Sequence, residues 1–188
     1  MRAAIALAVL LTGCVRLPPP NRPLEALTPE ENFKLGSAYE AQGESVAAAG
    51  RYRAAVKQDK KFTAAWIALG NLAFANAEFA QAEDDFRAAL KASPEDAGAS
   101  NNLAMTYVTR STKLKEAEDL LREALDHGGP LKPYVLDTLA NLYLKEKRYD
   151  EARLAVDEGI KSAKDGDRRL NERLYMTRSS VEAAVSRR

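Results

Sequence analysis

The chain predicts an all-α fold, a solenoid of four helix-turn-helix units closed by a C-terminal capping helix, and three observations carry this. After residue 29, glycine and proline are sparse while Ala, Leu, Glu, Lys and Arg dominate, and these are mostly strong helix formers. A pattern of small and apolar residues returns four times at a spacing of about 34 residues, a period that marks a stacked array. The last stretch, residues 167–188, places Leu170, Leu174, Val181 and Val185 along one side of a helix with arginines on the other. Charge gives no argument for nucleic acid or for a polybasic membrane surface, since 28 basic residues are balanced by 27 acidic ones.

Before the array, Met1 and Arg2 form a short positive start, and residues 3–12 are an apolar run. As a helix that run reaches about 15 Å, half of the roughly 30 Å that a bilayer core requires. It reads as a targeting segment rather than a membrane span. The run ends Leu11-Thr12-Gly13-Cys14: an aliphatic residue, two small ones and the chain's single cysteine. This ending resembles the lipobox of bacterial lipoproteins. The resemblance implies a signal peptide over residues 1–13, a mature chain starting at an acylated Cys14, and a membrane attachment made through that residue. Val15, where an aspartate would favour the inner membrane, leans the implied address towards the outer membrane, facing the periplasm. No disulfide can form within the chain, because there is no second cysteine. Residues 14–28 form the acylated cysteine and a tether in which Pro18, Pro19, Pro20 and Pro23 favour extended chain, up to roughly 40 Å at about 3.1 Å per residue.

The first unit, residues 29–62, opens on Thr28-Pro29-Glu30-Glu31, a capping box with proline at the first helical position. It supplies Leu35, Gly36, Tyr39, Ala48, Tyr52 and Ala55. The second, residues 63–96, repeats the frame with Trp66, Leu69, Gly70, Ala82, Phe86, Ala89 and Pro94. Ser93-Pro94 marks the entry to the third unit, residues 97–132, which carries Leu103, Ala104, Tyr107, Ala117, Leu121 and Ala124 with about two extra loop residues. Gly128-Gly129-Pro130 breaks the chain before the fourth, residues 133–166, with Leu139, Ala140, Tyr143, Ala152, Val156 and Gly159.

The four copies resemble the tetratricopeptide repeat, and the second copy departs clearly from its signature only at Ala73, where the family prefers tyrosine. The resemblance implies a right-handed superhelix. Within each unit Gly36, Gly70, Ala104 and Ala140 should face Ala48, Ala82, Ala117 and Ala152, letting the backbones approach. The leucines, with Tyr52, Phe86 and Leu121, should fill the space between neighbouring units and make one continuous core. Residues 167–188 then cap the open end, with docking to a partner as the other reading.

Catalysis has no support in the sequence. His127 sits in the loop DHGGP with no nucleophile or carboxylate pair spaced around it, and there is no CxxC, HExxH or glycine-rich phosphate loop. The chain therefore reads as a binding protein rather than an enzyme, without cofactor, metal, small-molecule substrate or nucleic acid. The charged runs at 57–61, 83–85 and 145–148 read as solvated faces. The resemblance implies a concave groove lined by the first helix of each unit, whose places include Phe33, Ser37, Ile67, Asn71, Phe74, Asn101, Met105, Tyr134, Asp137 and Asn141, with Asn102 beside them. None of these is lysine or arginine, so the carboxylate clamp of the family's chaperone-binding members is absent. The asparagines offer both donor and acceptor to the backbone of an extended peptide, or else merely solvate an exposed face. The implied function is a lipid-anchored scaffold that helps assemble or localise a protein partner of the cell envelope, similar to the repeat lipoproteins serving type IV pilus secretins or peptidoglycan enzymes. The alternative is a fixed structural subunit of an export or polysaccharide-secretion machine.

Overall fold

The computed structural model describes residues 27–163 and 167–187. The signal segment, Cys14 and nearly all of the proline-rich tether lie outside the described residues. Among those residues the chain is all α-helical: α1 (Pro29–Ala41), α2 (Ser45–Gln58), α3 (Thr63–Ala75), α4 (Phe79–Ala92), α5 (Ala97–Arg110), α6 (Leu114–His127), α7 (Lys132–Lys145), α8 (Tyr149–Ser162) and α9 (Arg168–Val185). A 3₁₀ turn, Gly129–Leu131, leads into α7. No described helix is long and apolar enough to cross a membrane.

The helices start where local chemistry satisfies their free N–H groups. At α1 the Glu31 amide donates to Thr28 Oγ1 at 3.2 Å, and the Thr28 amide donates to Glu31 Oε2 at 2.9 Å, completing the capping box. Ser93-Pro94, by contrast, does not open α5. Ser93 ends α4, and Asp96 caps α5 by accepting from the Ala99 amide at 2.8 Å. A carboxylate placed next to the first helical residue reaches that amide, whereas Pro94 is left in the turn. Within three of the pairs the turn uses a left-handed residue at the same place: Gly43 (φ 79°), Ala77 (φ 60°) and Lys147 (φ 62°). The α5–α6 turn, also three residues long, uses two such positions, Ser111 and Lys113.

Each helix packs antiparallel to its neighbour in the pairs α1–α2, α3–α4, α5–α6 and α7–α8, and successive pairs stack. Ala48, Ala82, Ala117 and Ala152 are fully buried. What presses on the glycines, however, is an aromatic ring of the second helix. A methyl on Gly36 would lie 2.6 Å from the Tyr52 ring, and one on Gly70 would lie 2.5 Å from Phe86. These rings therefore lie against their own pair's first helix as well as filling space towards the neighbour.

The core is also not one cluster. Tyr52, Val56, Leu69 and Leu72 belong to an N-terminal cluster, and a second runs from Ala73 and Phe86 through to Val181. The two divide within the second pair: α3 gives Ala65, Leu69 and Leu72 to the first cluster, which spans the seam to α2, and Ala73 to the second. At the far end α9 buries Leu170, Leu174 and Val181 against α7 and α8, while Val185, expected on the same side, stays exposed.

Candidate partner-binding face

The first helices α3, α5 and α7 lie side by side, and α9 continues the row beyond α7. The residues that the sequence assigns to the groove fall into two groups. Ser37 and Asn71 are exposed, while Phe33, Ile67, Phe74, Asn101, Asn102 and Met105 are half-buried. Asn102 Nδ2 donates to Asn71 Oδ1 at 2.9 Å, tying α5 to α3, and Asn101 Nδ2 donates to Asn102 Oδ1 at 3.4 Å. Asn101 Oδ1 is buried and has no partner among the described residues. The carboxamides thus form a row rather than separate solvated groups. Apolar side chains flank it: Ile67 and Phe74 also pack on the larger core cluster, and Phe74 meets Phe79 edge-on at 5.5 Å. Phe33 is more committed to packing, lying 5.4 Å from both the Tyr52 and Phe62 rings. Ser37 Oγ donates to the Phe33 carbonyl at 3.2 Å and receives the Tyr52 hydroxyl at 3.3 Å.

The second group does not line an open groove. Asp137 is only 4% exposed, because α9 lies across it. Its carboxylate accepts Thr177 Oγ1 at 2.8 Å and pairs with Arg173 Nε at 2.7 Å. Asn141 donates to the Asp137 carbonyl at 2.8 Å and lies 3.4 Å from Thr177 Oγ1. The Tyr134 hydroxyl donates to Asp167, and the Arg173 guanidinium sits 5.5 Å over the Tyr134 ring. Tyr134, Asp137 and Asn141 are therefore held in the seam between α7 and α9. The part of the candidate face left open runs along α1, α3 and α5.

Two polar clusters escaped the reading of charged runs as solvated faces. Glu83 accepts from Arg87 Nε at 3.2 Å and from the Tyr107 hydroxyl at 3.0 Å, and it is paired with Lys113. Burial works to raise the Glu83 carboxyl, but Lys113, Tyr107 and Arg87 outweigh it and hold the group below its usual range. One pair further along, Glu118 accepts from Arg148 Nη1 at 2.9 Å, Arg122 Nη2 at 2.7 Å and the Tyr143 hydroxyl at 3.2 Å. Arg148 foremost, with Arg122 and Tyr143, holds the Glu118 carboxyl down to about 2. Both clusters occupy equivalent places at successive seams between pairs. The signal was present in the sequence as Glu and Arg four residues apart on α4 and on α6, each preceding a tyrosine on the next pair. Asp85, read with Glu83 as part of a solvated run, is 5% exposed. Among the described residues no group of His, Cys, Asp and Glu is arranged to hold a metal ion.

A tetratricopeptide repeat family model matches residues 33–97 and again 67–134, together more than half of the chain. A curated relative, the STIP1 homolog of Dictyostelium discoideum, is 31% identical over 109 residues, which cover 55% of this chain. The match spans only 19% of that relative's length. Among solved structures, a thermophilic tetratricopeptide repeat protein of Thermus thermophilus superposes with a TM-score of 0.66 at 21% identity, covering 79% of this chain and 80% of that one. The APC/C hetero-tetramer Cut9–Hcn1 also gives 0.66, at 18% identity over 80% of this chain and 30% of the matched one. These structural likenesses concern the fold.

Proposed function

The chain belongs to the tetratricopeptide repeat family, and from that premise we propose that it is a membrane-anchored scaffold that holds an extended segment of a cell-envelope protein along α1, α3 and α5. The fold is that of a protein–protein interaction scaffold. The observation that carries the reading is the carboxamide row of Asn71, Asn102 and Asn101 between the apolar side chains of Ile67, Phe74 and Met105. Amides that present donors and acceptors along a row pair with the backbone of an extended peptide whatever its side chains, and the flanking apolar groups take every other residue. Attachment rests on Leu11-Thr12-Gly13-Cys14. One acyl chain binds a membrane only marginally, whereas the two or three carried by an acylated N-terminal cysteine anchor it stably. A scaffold held in this way localises or assembles its partner at the envelope, in the manner of a pilus-secretin or peptidoglycan-enzyme adaptor.

The test joins both halves. In cells given a palmitate analogue, the full chain should take up label and fractionate with membranes, and Cys14→Ser should do neither. A photo-crosslinking residue at Ser37 or Asn71 should trap one defined envelope protein, and Asn71→Ala with Asn102→Ala should reduce the yield while changing stability by no more than about 1 kcal/mol. Unlabelled wild-type protein would remove the anchor. Undiminished trapping by the double variant would move the partner to another face.

A further inference from the structure

The seam between the first and second pairs lacks what the next two seams contain. At the α4–α5–α6 seam, Glu83 and Arg87 of α4 meet Tyr107 of α5 and Lys113 at the start of α6. At the α6–α7–α8 seam, Glu118 and Arg122 of α6 meet Tyr143 of α7 and Arg148 at the start of α8. In each, the tyrosine hydroxyl donates to the glutamate and accepts from the arginine: Arg87 Nη2 lies 2.9 Å from Tyr107 Oη, and Arg122 Nη2 lies 3.3 Å from Tyr143 Oη. The places equivalent to glutamate, arginine, tyrosine and cation at the first seam hold Ala49, Arg53, Ala73 and Glu78. Only the arginine is kept. Both large side chains are reduced to methyl groups, and the cation is replaced by a carboxylate.

A cleft of about 220 Å³ opens at that spot, between α2, α3 and α4, with Ala49, Arg53, Ala73 and Glu78 all in its wall. This exceeds the roughly 150 Å³ of an engineered cavity that admits a benzene ring. It also lies where the core divides into its two clusters. The wall is apolar where a ring would rest, at Ala49, Leu69, Leu72 and Ala73, and Val46 stands 89% exposed at its edge. Polar groups sit elsewhere in the wall. Arg53 makes no ion pair with any described residue, and Asp85 is almost wholly buried, with its carboxyl pushed up by desolvation and only partly restrained by Gln81 and Arg53.

We propose that this cleft receives a tyrosine side chain supplied by a partner polypeptide, in the place that Tyr107 and Tyr143 fill at the other seams. The ring takes the space left by Ala49 and Ala73. Arg53 donates to the phenol oxygen, as Arg87 and Arg122 do for the resident tyrosines. Glu78 supplies the carboxylate acceptor for the phenol hydrogen, from the opposite side to Glu83 and Glu118. The charge of the wall selects the neutral phenol over a phosphorylated one, since Glu78 and Asp85 would face a phosphate dianion across a partly desolvated space. The site is separate from the carboxamide row, so a partner segment lying along α1, α3 and α5 and a tyrosine in this cleft are two attachments.

N-acetyl-tyrosinamide is the probe, titrated into the full chain while the alanine methyl signals are followed by NMR. Saturable shifts of the Ala49 and Ala73 methyls are expected. N-acetyl-phenylalaninamide, lacking the hydroxyl, should bind roughly tenfold more weakly, the worth of one charge-assisted hydrogen bond. Arg53→Ala should bring the tyrosine probe down to the phenylalanine level and leave the phenylalanine probe unchanged. Ala73→Tyr restores the ring of the other seams, so it should keep the helical signal and abolish saturable binding. Should that variant fail to fold, the Arg53→Ala comparison still decides. No saturable shift in the wild type, equal binding of the two probes, or undiminished binding by folded Ala73→Tyr each overturns the proposal. Self-association of the wild type that Ala73→Tyr abolishes would give the cleft to a second copy and overturn its assignment to a partner.

Discussion

Replacing Glu118 by glutamine removes one charge from a nearly buried cluster and changes almost nothing in shape. In the native chain the carboxyl sits at about 2 rather than near its ordinary 4.5, chiefly through Arg148. At roughly 1.4 kcal/mol per pH unit this corresponds to at most about 3 kcal/mol of stabilisation. The arginines around it are partly wet, Arg122 being 60% and Arg148 31% exposed in the side chain, and Arg148 keeps other partners. Solvent screening therefore brings the expected cost of Glu118→Gln to about 1–2 kcal/mol at neutral pH. The folded-state value is depressed, so the contribution is complete above the unfolded value and is lost as pH falls towards the folded one. Protonated glutamic acid and glutamine are both neutral, so the two proteins should converge. Far-UV circular dichroism melts should show the variant lower by about 2–8 °C at pH 7, at roughly 2–4 °C per kcal/mol. The gap should narrow from about pH 5 downward and close near pH 2. A gap that is the same at both ends of that range would refute the electrostatic account, and no gap at neutral pH would mean that the cluster contributes nothing.

Gly70→Ala adds a methyl that would meet the buried Phe86 ring at 2.5 Å. Overpacking of about 1–3 kcal/mol should outweigh the up to roughly 1 kcal/mol gained in helix propensity, so the melting midpoint should fall; an unchanged or raised midpoint would show that the ring moves aside freely. Arg173→Ala leaves the buried Asp137 carboxylate with only Thr177 from α9. Stranding a buried charge costs up to about 3–5 kcal/mol, and local detachment of α9 is the expected response. Amide exchange should accelerate in α9 and in the C-terminal half of α7 while α1–α4 are unaffected, and uniform protection would disprove the coupling.

The parts legible in the sequence were those fixed by spacing along one helix pair. Trp66, Leu69, Gly70, Ala82 and Phe86 announce both helices and their contact, because the small places, the ring and the turn all fall within one repeat. The helix that lies across Asp137 and Asn141 was not legible as their cover. Thr177 stands 40 residues from Asp137, and the apolar spacing of Leu170, Leu174 and Val181 reveals that α9 packs but not what its other side touches. Glu83 failed for a related reason. Its sequence neighbours Asp84 and Asp85 are charged, so the run looked solvated, while Tyr107 and Lys113, which enclose it, arrive from the next pair. Ser93-Pro94 misled because a proline signal tolerates a shift of several residues, and Asp96 competes for the same capping role with a better acceptor.

The absence of the polar cluster from the first seam has a mechanical side. A stack of layers bends where adjacent layers are least tied, and at the first seam the tyrosine, the glutamate and their arginine bonds are all missing. Flexure should concentrate there, with α1 and α2 tilting as one plate against a stiffer block formed by the rest. Such a tilt alters the distance between Phe33 and Ser37 on one plate and Ile67 and Asn71 on the next, so the width of the face along α1 and α3 is adjustable. Between α3 and α5 it is fixed by the Asn71–Asn102 bond and the rivet at Glu83. Because the chain enters beside α1, a pull on its N-terminal side loads the compliant seam first and leaves the carboxamide row undisturbed.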